Sequence, residues 1–155
     1  MVSLIWAQDE DLLIGAKNKM PWHYKEDLIY YKNMTKDSAV IMGYNTYLSL
    51  KGYYPNKPFP YKKTYVLSFE KIEDDMVETV LDLDEFKKNL HEDLFVVGGK
   101  SLYEQFMDIA DTLYVTQIPG HHEGDTYMKP IDLDVFYLDK EVLGEKVKFQ
   151  TYKRK

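Results

Sequence analysis

One carboxylate in an apolar setting is the first feature of this sequence that could do chemistry. Asp27 follows the extended entry Met20-Pro21-Trp22, and Leu28, Tyr31 and Met34 recur behind it at helical spacing. The spacing predicts a helix that turns Asp27 and Tyr31 to one apolar face. No lysine or arginine lies on that face, so a buried Asp27 would need a cationic or doubly hydrogen-bonding ligand as its partner. The alternative is a solvated carboxylate at a helix start, where the helix dipole favours negative charge.

Two glycine junctions could bind phosphate. In Met42-Gly43-Tyr44-Asn45-Thr46 and in Val97-Gly98-Gly99-Lys100-Ser101, a buried strand runs into glycine and then into a helix. The free N–H groups of a helix N-terminus bind anions, and two such termini at one cleft would suit a dinucleotide. Glycine pairs also occur at ordinary tight turns between strand and helix. Neither junction matches G-x-G-x-x-G, and G-x-x-x-x-G-K-[ST] does not occur, so the pattern favours cofactor binding over phosphate transfer.

Histidines and carboxylates occur together in one loop, at His121-His122-Glu123 and Asp125. Their spacing fits no zinc template, and all four residues belong to a single turn. We therefore expect a solvated loop and no metal ion.

Composition indicates one globular domain over residues 1–155. The 155-residue chain is 45% hydrophobic and has no cysteine, so it can bury a core without disulfides. A net charge of -6 repels phosphate backbones, and basic and aromatic residues alternate only in the short Pro60-Tyr61-Lys62-Lys63, which argues against a nucleic-acid partner. The apolar run at residues 2–7 is too short for a signal peptide, and no stretch approaches the roughly 20 residues that span a bilayer. We expect a cytoplasmic monomer with no membrane partner.

Predicted strands and helices alternate along the chain. Apolar runs predict strands at residues 2–8, 38–42, 64–68, 76–80, 94–97 and 112–118, with a closing pair at 135–138 and 147–152. Helices are predicted from about residue 24, from Asn45 as N-cap, over 83–90, and from a Ser101–Glu104 capping box through 109. Residues 9–19 and 51–63 are predicted loops, the first of them a lid. The alternation predicts an α/β sheet, mostly parallel, with ligands beyond the carboxyl ends of its strands.

Further motifs fall into one register with Asp27 and the glycine junctions. They are Ser3-Leu4-Ile5 with Ala7, Ile14-Gly15, Met20-Pro21-Trp22 with Asp27-Leu28, Val40-Ile41-Met42-Gly43 with Thr46, Val97-Gly98-Gly99 with Tyr103-Glu104-Gln105-Phe106, Leu113-Tyr114-Val115-Thr116, and Glu123-Gly124-Asp125-Thr126. Together they resemble bacterial dihydrofolate reductase of the chromosomal type, over nearly the whole chain. The resemblance implies a central eight-stranded, mostly parallel mixed sheet flanked by helices, with an NADPH site along one edge and a pterin pocket over Asp27.

The resemblance also implies an activity and a set of contacts. NADPH would deliver a hydride to C6 of 7,8-dihydrofolate and a proton would reach N5, giving 5,6,7,8-tetrahydrofolate. Asp27 would bind the pterin ring N–H and amino group as a pair and, with a water bridged to Trp22, favour the protonated pterin without being the direct donor. The expected substrate contacts are Ile5, Leu28, Tyr31, Leu50, Lys62 and Thr116, and a diaminopyrimidine antifolate would bind as a cation against the Asp27 carboxylate. The expected cofactor contacts are Ala7, Ile14, Gly15, Asn18, Met20, Gly43, Tyr44, Asn45, Thr46, Leu67, Ser68, Phe69, Val97, Gly98, Gly99, Lys100, Ser101, Leu102 and Tyr103. Asp125 would hold the lid closed by accepting its backbone N–H groups.

Some positions depart from the family pattern. Where the family offers arginine or similar donors to the NADPH 2′-phosphate, this chain has Tyr44, Phe69 and Ser101, so the use of NADH stays open. Where the family has an arginine that makes two hydrogen bonds to the folate α-carboxylate, this chain has Lys62.

Two alternatives to this function stay open. The pyrimidine reductases of riboflavin synthesis share the fold and the cofactor, but Met20-Pro21-Trp22 followed by Asp27 argues against them. A non-catalytic folate- or nucleotide-binding relative would explain the weakened phosphate and carboxylate contacts, whereas Asp27, Trp22 and Thr116 argue for turnover.

Overall fold

Strands and helices alternate in residues 1–15 and 21–155, the part of the chain that the computed structural model describes. The strands are β1 (Val2–Gln8), β2 (Leu13–Gly15), β3 (Ala39–Gly43), β4 (Lys63–Leu67), β5 (Glu78–Val80), β6 (Leu94–Val96), β7 (Thr112–Gln117), β8 (Thr126–Tyr127), β9 (Phe136–Leu143) and β10 (Lys148–Arg154). The helices are α1 (Lys25–Thr35), α2 (Tyr44–Lys51), α3 (Leu83–Lys88) and α4 (Lys100–Phe106). The predicted strands and helices are all present, with shifted ends. In this part of the chain, no helix is long and apolar enough to cross a membrane.

Eight of the strands form one sheet in the order β5-β4-β3-β6-β1-β7-β10-β9. β10 is antiparallel to both of its neighbours, and the other neighbouring strands are parallel. All residues of β1 are buried, as expected for a strand inside a sheet that helices cover on both faces. The predicted α/β class, with a mostly parallel eight-stranded mixed sheet, is confirmed.

Alternate residues of the inner strands pack on opposite faces of the sheet. Ala39 and Ile41 of β3 belong to the largest apolar cluster, which also contains Phe106 of α4. Val40 and Met42 belong to another cluster, to which α2 contributes Tyr47. This two-residue alternation places α2 and α4 on opposite faces of the sheet, while both helices begin at the carboxyl ends of its strands. Any ligand held by both helix starts would lie at these strand ends.

Local predictions about loops and helix ends are wrong in four places. Residues 9–19 are not a loop throughout, because β2 pairs with β8 in a separate two-stranded sheet. The N-caps of α2 and α4 are Gly43 and Gly99, so neither Asn45 nor Ser101 is a cap. The extended cap conformation falls on the glycines directly after the strands, and Ser101 therefore lies inside α4, where its Oγ accepts from Gln105 Nε2 at 3.2 Å. Helix α4 ends at Phe106, short of the predicted residue 109.

Candidate active site

Asp27 is a buried carboxylate in the first turn of α1. Only 7% of the residue is exposed, and its backbone N–H donates to the Tyr24 carbonyl at 3.1 Å, so the helix starts where predicted. Burial raises the pKa of Asp27, a hydrogen bond from the Thr116 hydroxyl lowers it and the charge of Glu26 raises it, with a net upward shift. The alternative of a solvated carboxylate at a helix start is therefore wrong. A carboxyl group with a raised pKa exchanges its proton closer to neutral pH than a surface aspartate does.

Thr116 reaches Asp27 from β7. The residue is 2% exposed and pairs with Ala7 in the parallel register of β1 and β7. A threonine hydroxyl donates one hydrogen bond, whereas an ionised carboxylate has about four acceptor positions. The acceptor positions left over suit a ligand that presents two N–H groups side by side.

Glu26, the neighbouring carboxylate, is fixed in a different way. Its Oε1 and Oε2 accept the backbone N–H groups of Glu145 and Lys146 at 3.0 and 2.9 Å. Both donors lie in the turn between β9 and β10, and a Cβ atom at Gly144 in that turn would overlap Glu26 Oε1. The sequence carries no local signal for this contact, because the donors are 119 and 120 residues away along the chain.

Trp22 is buried in front of α1, with 8% of the residue exposed. It belongs to an apolar cluster with Ala7, Leu13, Ile118 and Val147. Within the described residues, its Nε1 is the one buried side-chain polar atom that has no hydrogen-bond partner. A buried donor of this kind could bind an acceptor from water or ligand, and the water at this position stays a prediction.

Two tyrosine hydroxyls connect α1 with the loop before β4. Tyr31 OH and Tyr61 OH lie 2.8 Å apart. Burial raises the pKa of Tyr61 and raises that of Tyr31 well above its usual value, so both phenols stay neutral at physiological pH. Tyr61 was not predicted as a site residue, because a proline-rich loop gives no periodicity from which to read the direction of a side chain.

The other predicted substrate contacts lie on separate elements. Ile5 of β1 is buried, and its carbonyl accepts the hydroxyl hydrogen of Tyr103 at 2.7 Å. Leu28 and Leu50, on α1 and α2, are half-buried. Lys62 has an exposed side chain, and its backbone N–H donates to the Ser38 carbonyl at 3.0 Å.

The two glycine junctions meet at the carboxyl ends of neighbouring strands. β3 and β6 are parallel neighbours, and the Gly43 N–H donates to the Gly98 carbonyl at 2.8 Å. Gly98 has a φ of 130°, and a Cβ atom there would lie 3.3 Å from Thr46 Oγ1. The Gly98–Gly99 peptide bond is cis. The junctions that the sequence singled out are thus in direct contact.

The starts of α2 and α4 fit phosphate oxygens. Neither N-cap makes a side-chain hydrogen bond, and neither helix has an acidic residue in its first turn. Backbone N–H groups at these two helix starts therefore have no side-chain cap competing for them and no carboxylate repelling an anion. These donors could hold the phosphates of a nucleotide, and the nucleotide site stays a prediction.

The remaining predicted cofactor contacts differ in exposure. Tyr44, Asn45, Phe69 and Ser101 are exposed; Ile14, Gly15, Thr46, Leu67, Ser68, Val97 and Lys100 are half-buried; Ala7, Leu102 and Tyr103 are buried. Leu102 belongs to the largest core cluster, so its side chain contributes to the core. Asn18 and Met20 lie outside the described residues.

The predicted lid contact of Asp125 is described only in part. The Asp125 backbone N–H donates to the Gly15 carbonyl at 3.1 Å, and its Oδ1 accepts from the Thr126 hydroxyl at 2.8 Å. Residues 16–20, which include the end of the predicted lid, lie outside the described residues.

Positive charge is scarce at the helix starts. Lys100 Nζ lies 3.8 Å from Glu104 Oε1, one turn along α4. The single arginine of the chain, Arg154, donates to the carbonyls of Met107, Asp108 and Ala110. Its guanidinium is therefore already engaged.

Among the described residues, no group of three or more His, Asp or Glu side chains could hold a metal ion.

Comparisons with known proteins agree over the length of the chain. A sequence model of the family described as dihydrofolate reductase matches residues 1–154. The dihydrofolate reductase of Mycoplasma genitalium is 33% identical over 160 residues, covering 100% of this chain and 99% of the relative. That of Bacillus subtilis is 32% identical over 157 residues, covering 98% and 89%. A solved structure of dihydrofolate reductase from Enterococcus faecalis, complexed with NADP(H) and RAB-propyl, is 28% identical and superimposes with a TM-score of 0.85, covering 99% of this chain and 96% of that one.

Proposed function

The chain belongs to the dihydrofolate reductase family, and we propose that it reduces 7,8-dihydrofolate to 5,6,7,8-tetrahydrofolate with NADPH. The observation that carries the proposal is the buried Asp27 carboxylate, whose pKa is raised by burial and which receives a hydrogen bond from Thr116. A carboxylate of this kind is costly to bury unless a ligand uses it. A pterin, with its ring N–H beside an amino group, uses both oxygen atoms.

Asp27 and Trp22 are the proposed catalytic residues. Asp27 accepts the paired N–H groups of the pterin, and its negative charge favours protonation of the substrate. Trp22 Nε1–H, buried without a protein acceptor in the described residues, holds a water between the indole and the pterin. Asp27 thus promotes protonation at N5 without being the direct donor.

The glycine junctions are the proposed cofactor site. Gly43, Gly98 and Gly99 keep side chains away from the starts of α2 and α4, where backbone N–H groups bind phosphate. When bound, NADPH supplies the hydride that C6 of the substrate receives. Exposed Tyr44, Phe69 and Ser101 occupy the region expected for the 2′-phosphate, so the preference for NADPH over NADH is smaller than usual for the family.

The substrate tail is the proposed partner of Lys62. Ile5, Leu28, Tyr31 and Leu50 form apolar walls, and the Tyr31–Tyr61 hydroxyl pair connects α1 with the loop that carries Lys62. Lys62 directly follows Tyr61 and is exposed, so its ammonium can meet the α-carboxylate outside the walls.

We also propose that residues 1–155 act as one domain and that the protein works as a cytoplasmic monomer on small molecules, antifolates included. The family match over residues 1–154 supports the single domain. Size-exclusion chromatography with light scattering tests the monomer.

The decisive assay follows the absorbance of the reduced nicotinamide when purified protein meets dihydrofolate, with NADPH and NADH in parallel. We expect turnover with both cofactors and a preference for NADPH. Absence of turnover with either cofactor, in protein that binds a pterin, would favour the non-catalytic alternative. Turnover of a ribosylaminopyrimidine in place of dihydrofolate would favour the pyrimidine reductases.

A further inference from the structure

A fully buried carboxylate, Asp9, lies outside the mechanism given above. Its Oδ1 accepts the backbone N–H groups of Asp11 and Leu13 at 2.8 and 3.1 Å. Its Oδ2 accepts the backbone N–H of His122 at 2.8 Å and lies 3.1 Å from Nδ1 of the same histidine. Burial acts to raise the pKa of Asp9, but the hydrogen bonds from Leu13, Asp11 and His122 outweigh it and lower the pKa. Asp9 therefore holds His122 at two atoms, one in the backbone and one in the imidazole.

The imidazole of His122 contacts the indole of Trp22. The two ring centroids are 5.3 Å apart and the ring planes meet at 65°, an edge-on arrangement that aromatic rings favour. Trp22 Nε1 has no hydrogen-bond partner in the described residues, so no bond of its own fixes the rotation of the indole. Packing alone must do so. His122 packs against the indole, and its own ring is held by a hydrogen bond to the buried carboxylate of Asp9.

We propose that His122 is a positioning residue for Trp22: Asp9 fixes the imidazole, and the imidazole fixes the plane of the indole and the direction of its Nε1–H. The proposal rests on the proposed function through the water that Trp22 holds at the pterin. It assigns a role to His122, in a loop that the sequence predicts to be solvated.

The neighbouring histidine contacts a carboxylate at the surface and not a buried one. His121 is exposed, and its Nδ1 lies 2.8 Å from Asp11 Oδ2. The charged groups that border this loop are Asp9 on His122, Asp11 on His121, and Glu10, whose Oε2 accepts the Gly120 N–H. His121 thus has the same ring and a carboxylate partner from the same segment, which makes it the matched control.

The first experiment compares indole N–H resonances by NMR in the ligand-free protein. The chain has two tryptophans, so the indole resonance that remains in Trp6→Phe belongs to Trp22. Trp6 Nε1 donates to Gln8 Oε1 at 2.9 Å. His122→Asn keeps an amide donor for Asp9 and removes the ring. We expect it to move the Trp22 resonance while the Trp6 resonance stays, and His121→Asn to move neither. A Trp22 resonance that His122→Asn leaves in place would overturn the proposal.

The second experiment measures kcat and KM for dihydrofolate. His122→Asn should lower kcat/KM on the order of tenfold, because a misplaced group near the reacting atoms has effects of this size or larger. His122→Phe, which restores a ring without the Nδ1 donor, should recover part of the loss, and His121→Asn should stay within about twofold of the parent. A shifted indole resonance with unchanged kcat/KM would also overturn the positioning role. If the parent protein has no activity, the proposed function fails, and the NMR comparison still decides whether His122 orients Trp22.

Discussion

Glu26 Oε2 accepts the backbone N–H of Lys146 at 2.9 Å, and this bond joins the first turn of α1 to the turn between β9 and β10. The residue that follows Glu26 in the helix is Asp27. The bond therefore keeps a second negative charge next to the proposed catalytic carboxylate, where like charges disfavour ionisation.

Neutralising Glu26 should lower the pKa of Asp27. Burial is the larger cause of the upward shift, and the charge of Glu26 adds to it. Glu26→Gln removes that charge, so Asp27 should ionise at a lower pH, as followed by NMR of the labelled carboxyl carbon. Glu145→Gln is the control, because it neutralises an exposed carboxylate in the turn that binds Glu26. Equal pKa values for Asp27 in the Glu26→Gln variant and the parent would contradict the prediction.

Asp27→Asn should lose activity and gain stability. The amide cannot carry the charge that favours a protonated pterin, and loss of proton-transfer assistance costs about 100-fold or more in kcat. The pKa of Asp27 is higher in the folded protein than its ordinary value of 3.8. Between those two pKa values the unfolded chain has lost the proton that the folded chain retains, so the parent loses stability as pH rises through this window and does not regain it above.

Denaturant unfolding of both proteins from acid to neutral pH checks the sign. The stability advantage of the asparagine variant should grow with pH and then level off. An asparagine variant that is less stable at neutral pH would mean that Asp27 is structural.

The same variant should bind a cationic diaminopyrimidine antifolate more weakly by about 2 kcal/mol or more, as when one partner of a buried ion pair is removed.

Tyr44→Arg should increase the preference for NADPH over NADH. Tyr44 is the first residue of α2 and is 45% exposed, so a guanidinium there can reach a 2′-phosphate. A hydrogen bond to a charged group contributes about 1.5–3 kcal/mol, which corresponds to about tenfold or more in the ratio of kcat/KM values. Tyr53→Arg, at another exposed tyrosine, is the control for added charge. A ratio that rises equally in both variants would argue against a phosphate contact at Tyr44.

Lys62→Arg should lower KM for dihydrofolate and leave kcat nearly unchanged. A guanidinium forms two parallel hydrogen bonds to a carboxylate, whereas an ammonium makes a less directed contact. We expect about a three- to tenfold decrease in KM, the result of an interaction made equally in ground and transition states. Lys57→Arg, exposed in the same loop, is the matched control. If a pterin without its glutamate binds the parent as tightly as dihydrofolate does, Lys62 does not hold the tail.

The sequence predicts what depends on neighbouring residues. The continuous apolar run of β1 indicated an inner strand, and the helical spacing after Trp22 placed Asp27 in the first turn of α1. The glycines at 43 and 98 indicated the two strand-to-helix junctions. Each of these signals lies within a few residues of the feature it predicts.

Contacts between distant segments could not be predicted in this way. β2 forms because β8, more than a hundred residues later, supplies its partner strand. Glu26 and Asp9 look like surface carboxylates in the sequence, yet backbone N–H groups far along the chain bind both. The S-x-x-E pattern predicted the wrong N-cap, Ser101, for a related reason. The preceding strand determines where α4 begins.

The hydrogen bond between Gly43 and Gly98 has a consequence for how a nucleotide binds. It fixes the distance between the two proposed anion sites, so they would act as a chelate on a ligand that spans both. The first contact places the second group of the ligand at a high effective concentration. Two separate mononucleotides lack this advantage, and together they would bind far more weakly than the joined dinucleotide. A substitution that displaced one junction would weaken the hold of the other on the same ligand.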